Sequence, residues 1–219
     1  MDGILYATLI GAVVGAFGTG IGAILTYFIK VNGKRIPAVL MGLSGGIMLA
    51  IVLFDMLPEA VESADWLLTV IWFAVGAFAV FLVNKILPHH DVQTSDDTEL
   101  IHELNEKRMV RSGLLLAVGI AVHNLPEGLA LGSGVVSEWS FGIGLAALLF
   151  VHNIPEGMGL AIPLKLGGVK YGKIFLIALL AALPMAVGAL LGALIGTISP
   201  VFLGGSIAFG GGAMLYLTF

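Results

Sequence analysis

His123-Asn124-Leu125-Pro126-Glu127-Gly128 recurs, with one conservative change, as His152-Asn153-Ile154-Pro155-Glu156-Gly157. Each copy lies inside an otherwise apolar stretch. If both stretches are helical, His and Glu at i and i+4 lie one above the other on one face. The two faces supply His123, Glu127, His152 and Glu156, with Asn124 and Asn153 one position round. An ionisable group at bilayer depth costs about 2.5–3.5 kcal/mol on insertion scales, so four together need a compensating partner. A divalent metal ion fits that need. Kinked helices whose polar groups only hydrogen-bond each other are the plainer alternative, but such a bond needs neither two carboxylates nor two copies.

The membrane setting follows from composition. The 219-residue chain is 58% hydrophobic and only 11% charged, with a mean hydropathy of +1.06; soluble domains carry about 25% charged residues. Runs long enough for a ~30 Å hydrocarbon core occur at roughly 4–29, 36–57, 66–87, 112–134, 140–163, 173–196 and 200–219. The expected fold is therefore an all-α polytopic helical bundle with seven visible spans. The first run has no basic leader and is too long for a signal-peptide core, so it is expected to be a true span. With no cysteine in the chain, disulfides are excluded and any metal must be held by N, O or thioether ligands.

All ten basic residues fall in or beside alternate connections. Lys30, Lys34 and Arg35 follow span 1; Lys85, Lys107, Arg108 and Arg111 flank the connection after span 3; Lys165, Lys170 and Lys173 follow span 5. By the positive-inside rule, loops 1, 3 and 5 are cytoplasmic and the N-terminus is outside, in a cell (plasma or inner) membrane. Glu59, Glu62 and Asp65 then face outward, as a cation-attracting mouth or as ordinary solvated charges. Residues 88–111 hold His89, His90 and His102 among six acids. With little apolar periodicity they are expected to form a flexible cytosolic loop that binds metal weakly or serves as an acidic linker.

Pro126 and Pro155 lack an N–H, so the carbonyls of Val122 and Val151 are expected to lose their helical partners beside the histidines. Gly128 and Gly157 permit close helix approach. The two strings lie about twelve and thirteen residues into antiparallel spans joined by a short turn around Ser133–Ser140, so both are expected near the midplane, facing each other. Transporters place substrate sites at broken helices in this way. If both glutamates approach one ion, their second oxygens are free to bridge to another. His with carboxylate suits Zn²⁺, Fe²⁺, Mn²⁺ or Co²⁺ and is poor for Mg²⁺. A weaker repeat relates Gly45-Gly46-Ile47-Met48-Leu49 to Gly211-Gly212-Ala213-Met214-Leu215. Met48 and Asp55, at i and i+7, are expected on one helix face.

These strings, with IMLA and FDMLPEA within 47–60 and GALLG at 188–192, resemble those of the ZIP (Zrt/Irt-like protein) family of divalent-metal transporters. The resemblance covers nearly the whole chain. It implies eight spans in a three-two-three inverted-repeat plan. On that plan residues 1–87 hold spans 1–3, 88–111 the cytosolic loop, 112–163 the metal-binding hairpin of spans 4 and 5, and 164–219 spans 6 and 7. The end of span 7 and an eighth span are expected to be missing. The resemblance also implies metal ligands at His123, Asn124, Glu127, His152, Asn153 and Glu156, with Met48 and Asp55 near the site or its outer entrance. Its activity would be import of Zn²⁺, or of iron, manganese, cobalt or cadmium, as transported substrate, with no prosthetic group. The implied partners are the metal ions and the lipid bilayer, with no nucleic acid; a homodimer is left open. Where many relatives have Glu-Pro in span 6, this chain has Met185-Ala186. The rival readings are an intramembrane metalloenzyme, against which no HExxH string or spare general base is visible, and a metal sensor without flux.

Overall fold

In a computed structural model, residues 2–28, 35–86 and 98–218 are described, and among them every element is helical. Lipid offers the backbone no hydrogen-bond partner, so apolar runs of this length satisfy their N–H and C=O groups internally. The helices are α1 (Asp2–Phe28), α2 (Arg35–Ala50), α3 (Leu57–Ala64), α4 (Trp66–Ile86), α5 (Thr98–Ser137), α6 (Trp139–Leu166), α7 (Tyr171–Gly196) and α8 (Pro200–Thr218). A π-helical turn, Ile51–Met56, joins α2 to α3 without a break, so the second apolar segment runs to Ala64 rather than ending near 57. Among the described residues, five helices are long and apolar enough to cross a membrane, and Trp66–Leu82 and Pro200–Tyr216 are shorter apolar helices at the third and seventh expected spans.

Two expectations change. Residues 98–111 are helical and continue α5 as a single 40-residue rod, about 60 Å at 1.5 Å per residue and so twice the hydrocarbon thickness. Extending a helix that already exists needs no new nucleus, and Glu, Leu, Lys and Arg of this stretch are good helix formers. Tertiary packing helps, because the turn after α6 brings Gly167 against Val110 and the Glu106 carbonyl. The remaining loop positions, including His89, His90, Asp91, Asp96 and Asp97, lie outside the described residues. The turn joining α5 to α6 is also tighter than expected: Glu138 alone separates them. Both helices continue through their prolines, Pro126 and Pro155.

α1, α5, α6 and α7 pack on one another as a close group, and α8 lies against α3, α4 and α5. Glycine sets the spacing. A Cβ on Gly128 would run into the Met185 carbonyl, and one on Gly188 into the Leu125 carbonyl, so α5 and α7 lie backbone to backbone. Gly22 and Gly157 bind α1 to α6 in the same reciprocal way, against the Ile154 and Thr19 carbonyls. Without a hydrophobic drive between helices in lipid, such close van der Waals packing is a main source of association.

Two apolar clusters fill the interior. One gathers Val14, Leu131, Leu149, Met185 and Met214; the other gathers Ala23, Ile120, Leu160, Leu164 and Ala181. On α5 and on α6 the clusters are separated along the helix by the repeated strings. The polar residues of both strings therefore occupy a band between two dry layers.

Candidate metal centre

The close pairing of α5 and α6 follows from the single-residue turn at Glu138, and Gly142 comes so near Val135 that a Cβ there would meet its backbone. With the hairpin closed, the two His-x-x-x-Glu faces converge. His123 Nε2 lies 3.1 Å from Glu127 Oε1 and 3.2 Å from Glu156 Oε1. His152 Nε2 lies 3.3 Å from each of the same oxygens. The two Nε2 atoms are 3.5 Å apart. One ligand atom from each of the four side chains falls within 4.8 Å of every other, and all four residues are buried.

Four donors around one small volume, two of them carboxylates, form a set that a dication suits by charge and by ligand type. Unmet hydrogen-bond capacity points the same way. Among the described residues, Glu127 Oε2, Glu156 Oε2 and His123 Nδ1 are buried without a hydrogen-bond partner. A buried polar group left unpaired costs about 1–3 kcal/mol, and a charged one more. A bound cation removes that cost for the carboxylates.

The asparagines are turned elsewhere. Asn124 Nδ2 donates to the Ala181 carbonyl of α7 at 2.9 Å. Asn153 Nδ2 lies 3.4 Å from the Val14 carbonyl of α1 and 3.6 Å from Met185 Sδ. Both Oδ1 atoms remain buried, with no partner among the described residues. Thus each amide nitrogen ties the hairpin to its neighbours while its oxygen stays uncommitted.

Met48 and Asp55 do not share a face. Met48 is buried at 4% exposure and Asp55 is half-buried. The π-helical turn between them is the reason: a wider turn advances the buried position by an extra residue. Met48, Val52, Met56 and Ala60 form the buried line, so Met56 takes the place that an unbroken α-helix would give Asp55. Among the described residues, Asp55 is not brought into the four-residue cluster.

Sequence reasoning missed Ser44. Its hydroxyl, on α2, lies 3.2 Å from His152 Nδ1, and both groups are buried. Its signal was a lone hydroxyl in an apolar run, four residues before Met48. Buried Thr19 on α1, whose hydroxyl has no partner, also passed unnoticed. At the loop-5 end, Lys165 Nζ donates to the Thr26 carbonyl at 2.6 Å and so holds the end of α1 against α6.

Comparison with known proteins gives a consistent result. The family model described as ZIP Zinc transporter matches residues 84–219. The chain is 33% identical to Zinc transporter ZupT of Chlorobaculum parvum over 203 residues, covering 87% of this chain and 75% of that protein. It is 30% identical to Zinc transporter ZupT of Chlorobium chlorochromatii, covering 99% of this chain and 86% of that one. Zinc transporter ZTP29 of Arabidopsis thaliana is 29% identical, covering 100% of this chain and 84% of its own length.

Proposed function

The chain belongs to the ZIP family of zinc transporters, and from that premise we propose that it carries divalent transition-metal ions, zinc foremost, into the cytoplasm through the centre formed by His123, Glu127, His152 and Glu156. It is an integral membrane protein that transports metal ions, and it is not an enzyme. The observation that carries the reading of the site is the convergence of four buried ligand atoms within 4.8 Å. Two carboxylates neutralise the dication, and two imidazoles complete a tetrahedral set suited to Zn²⁺. Transport also needs a site that releases its ion, and each of these ligands binds metal only when unprotonated, so protons compete for the site.

A binuclear centre is the fuller form of the proposal. Glu127 Oε2, Glu156 Oε2, Asn124 Oδ1 and Asn153 Oδ1 are all buried without partners, so oxygen ligands remain for a second ion once the first is held. Met48 and Asp55 then lie along the approach rather than at the centre. The basic residues flanking alternate connections support cytoplasmic loops 1, 3 and 5 and an external N-terminus, in the cell membrane. On this reading 112–163 is the metal-binding hairpin, 1–87 and 164–219 are the flanking repeats, and 88–111 joins the first repeat to the hairpin on the cytoplasmic side.

The test is zinc uptake into proteoliposomes loaded with a fluorescent chelator. Wild-type protein is expected to give saturable uptake, and Glu127→Ala and Glu156→Ala each to abolish it at equal incorporation. Wild-type uptake by both variants would refute the assignment.

A further inference from the structure

We propose that Ser44 is a positioning residue for this centre: its hydroxyl fixes the ring of His152 so that, of two histidines in a repeated string, His152 is a preset metal ligand and His123 is not. The inference rests on reading the four-residue cluster as the metal site.

The two strings are nearly identical in sequence, yet their histidines differ in surroundings. His152 has Ser44 Oγ at 3.2 Å from Nδ1, and His152 is fully buried. His123 Nδ1 is buried with no partner among the described residues. A neutral imidazole carries one proton on one nitrogen and a lone pair on the other. With Nδ1–H donated to Ser44 Oγ, the lone pair is on Nε2, the atom that lies 3.3 Å from both Glu127 Oε1 and Glu156 Oε1. A serine hydroxyl can donate or accept; once a metal at the carboxylates takes the Nε2 lone pair, Nδ1 carries the proton and Ser44 Oγ accepts it, so the bond holds the ring in the orientation that the metal requires. For His123 no such bond to Nδ1 is present among the described residues.

The weaker repeat accounts for the difference. Aligning Gly45-Gly46-Ile47-Met48-Leu49 with Gly211-Gly212-Ala213-Met214-Leu215 sets Ser44 opposite Gly210. Gly210 packs against the Pro126 carbonyl on α5, where a Cβ would lie 2.8 Å from that oxygen. Ser44 reaches the second copy of the string from α2, while its counterpart approaches the first copy from α8 with no hydroxyl to offer. At the two histidines, the pseudo-symmetry of the hairpin is broken by a side chain outside it.

Outer-shell partners of metal-bound histidines are typically worth 10–100-fold in metal affinity. The experiment uses the full chain in lipid nanodiscs, with Zn²⁺ alone as the probe. Calorimetry is combined with ¹⁵N spectra of histidine-labelled, metal-free protein, which report the tautomer at each ring. Ser44→Ala is expected to weaken Zn²⁺ binding about 10–100-fold and to change the His152 ring signals while leaving those of His123 in place. Ser44→Thr, which keeps the hydroxyl, should restore affinity and signals. In a His152→Ala background, Ser44→Ala should cost no more than about twofold, whereas in a His123→Ala background its full effect should persist. Wild-type affinity and unchanged His152 signals in Ser44→Ala, or an undiminished loss in the His152→Ala background, would overturn the inference. Wild-type affinity in His152→Ala itself would overturn the four-residue site instead, so the two failures are distinguishable.

Discussion

Replacing Glu156 by Gln preserves shape and burial while removing one negative charge, which makes it the sharpest probe of the centre. In the metal-free protein the change is tolerable, because glutamine fills the same space and still hydrogen-bonds. The loaded site is different. With both carboxylates a bound dication is balanced; with one, the buried cluster between the two apolar layers carries a net positive charge. A single uncompensated charge at bilayer depth costs about 2.5–3.5 kcal/mol, and each 1.4 kcal/mol is tenfold in affinity. Glu156→Gln should therefore weaken Zn²⁺ binding by about 60- to 300-fold, and Glu127→Gln, also buried, by a similar factor. His123→Ala removes a neutral ligand without changing the charge balance, so its loss should be smaller than either. Isothermal titration of nanodisc-embedded protein measures all three. Glutamine variants that bind within about threefold of wild type, or a histidine variant that loses more than both, would refute the charge-balance reasoning.

Three other outcomes follow from the same geometry. Gly128→Leu must push α5 away from the Met185 carbonyl and, one residue from Glu127, should lower the thermal midpoint in detergent and reduce zinc affinity; overpacking of this kind costs about 1–3 kcal/mol or more. Protons compete with metal for every ligand, so zinc uptake should fall steadily as external pH is lowered from neutral, and unchanged uptake in acid would count against these ligands. Deleting Asp91–Glu103 should leave calorimetric affinity at the four-residue cluster nearly unchanged, while a complete loss of binding would move the principal site to the deleted segment.

The spacing of His and Glu in a repeated string was enough to place the four side chains on two facing helix faces, because i and i+4 share a face whatever the surroundings. The turn around Ser133–Ser140 could be located but not measured; its contraction to Glu138 depends on how nearly α5 and α6 approach at Gly142 and Val135. Two features escaped the sequence because they depend on departures from ideal helices. The wide turn at Ile51–Met56 shifts the buried face from Asp55 to Met56, and nothing in the residue pattern marks where a π-helical turn begins. The helical start at Thr98 arises from continuation of an already formed span and from packing on Gly167, neither of which is visible in local polarity. Ser44 was missed for a third reason: a hydroxyl contributed by another helix has no fixed spacing from the histidine that it meets. Alignment with the second repeat would only have led to Gly210, which has no side chain.

The central claim is that one buried cluster holds the transported ion. The most direct measurement is a zinc-edge anomalous difference map from crystals of the full chain grown with Zn²⁺. The account predicts its strongest peak about 2.0–2.2 Å from His123 Nε2, His152 Nε2 and a carboxylate oxygen of each of Glu127 and Glu156. Anomalous density confined to other parts of the molecule, with none among these four side chains, would contradict it.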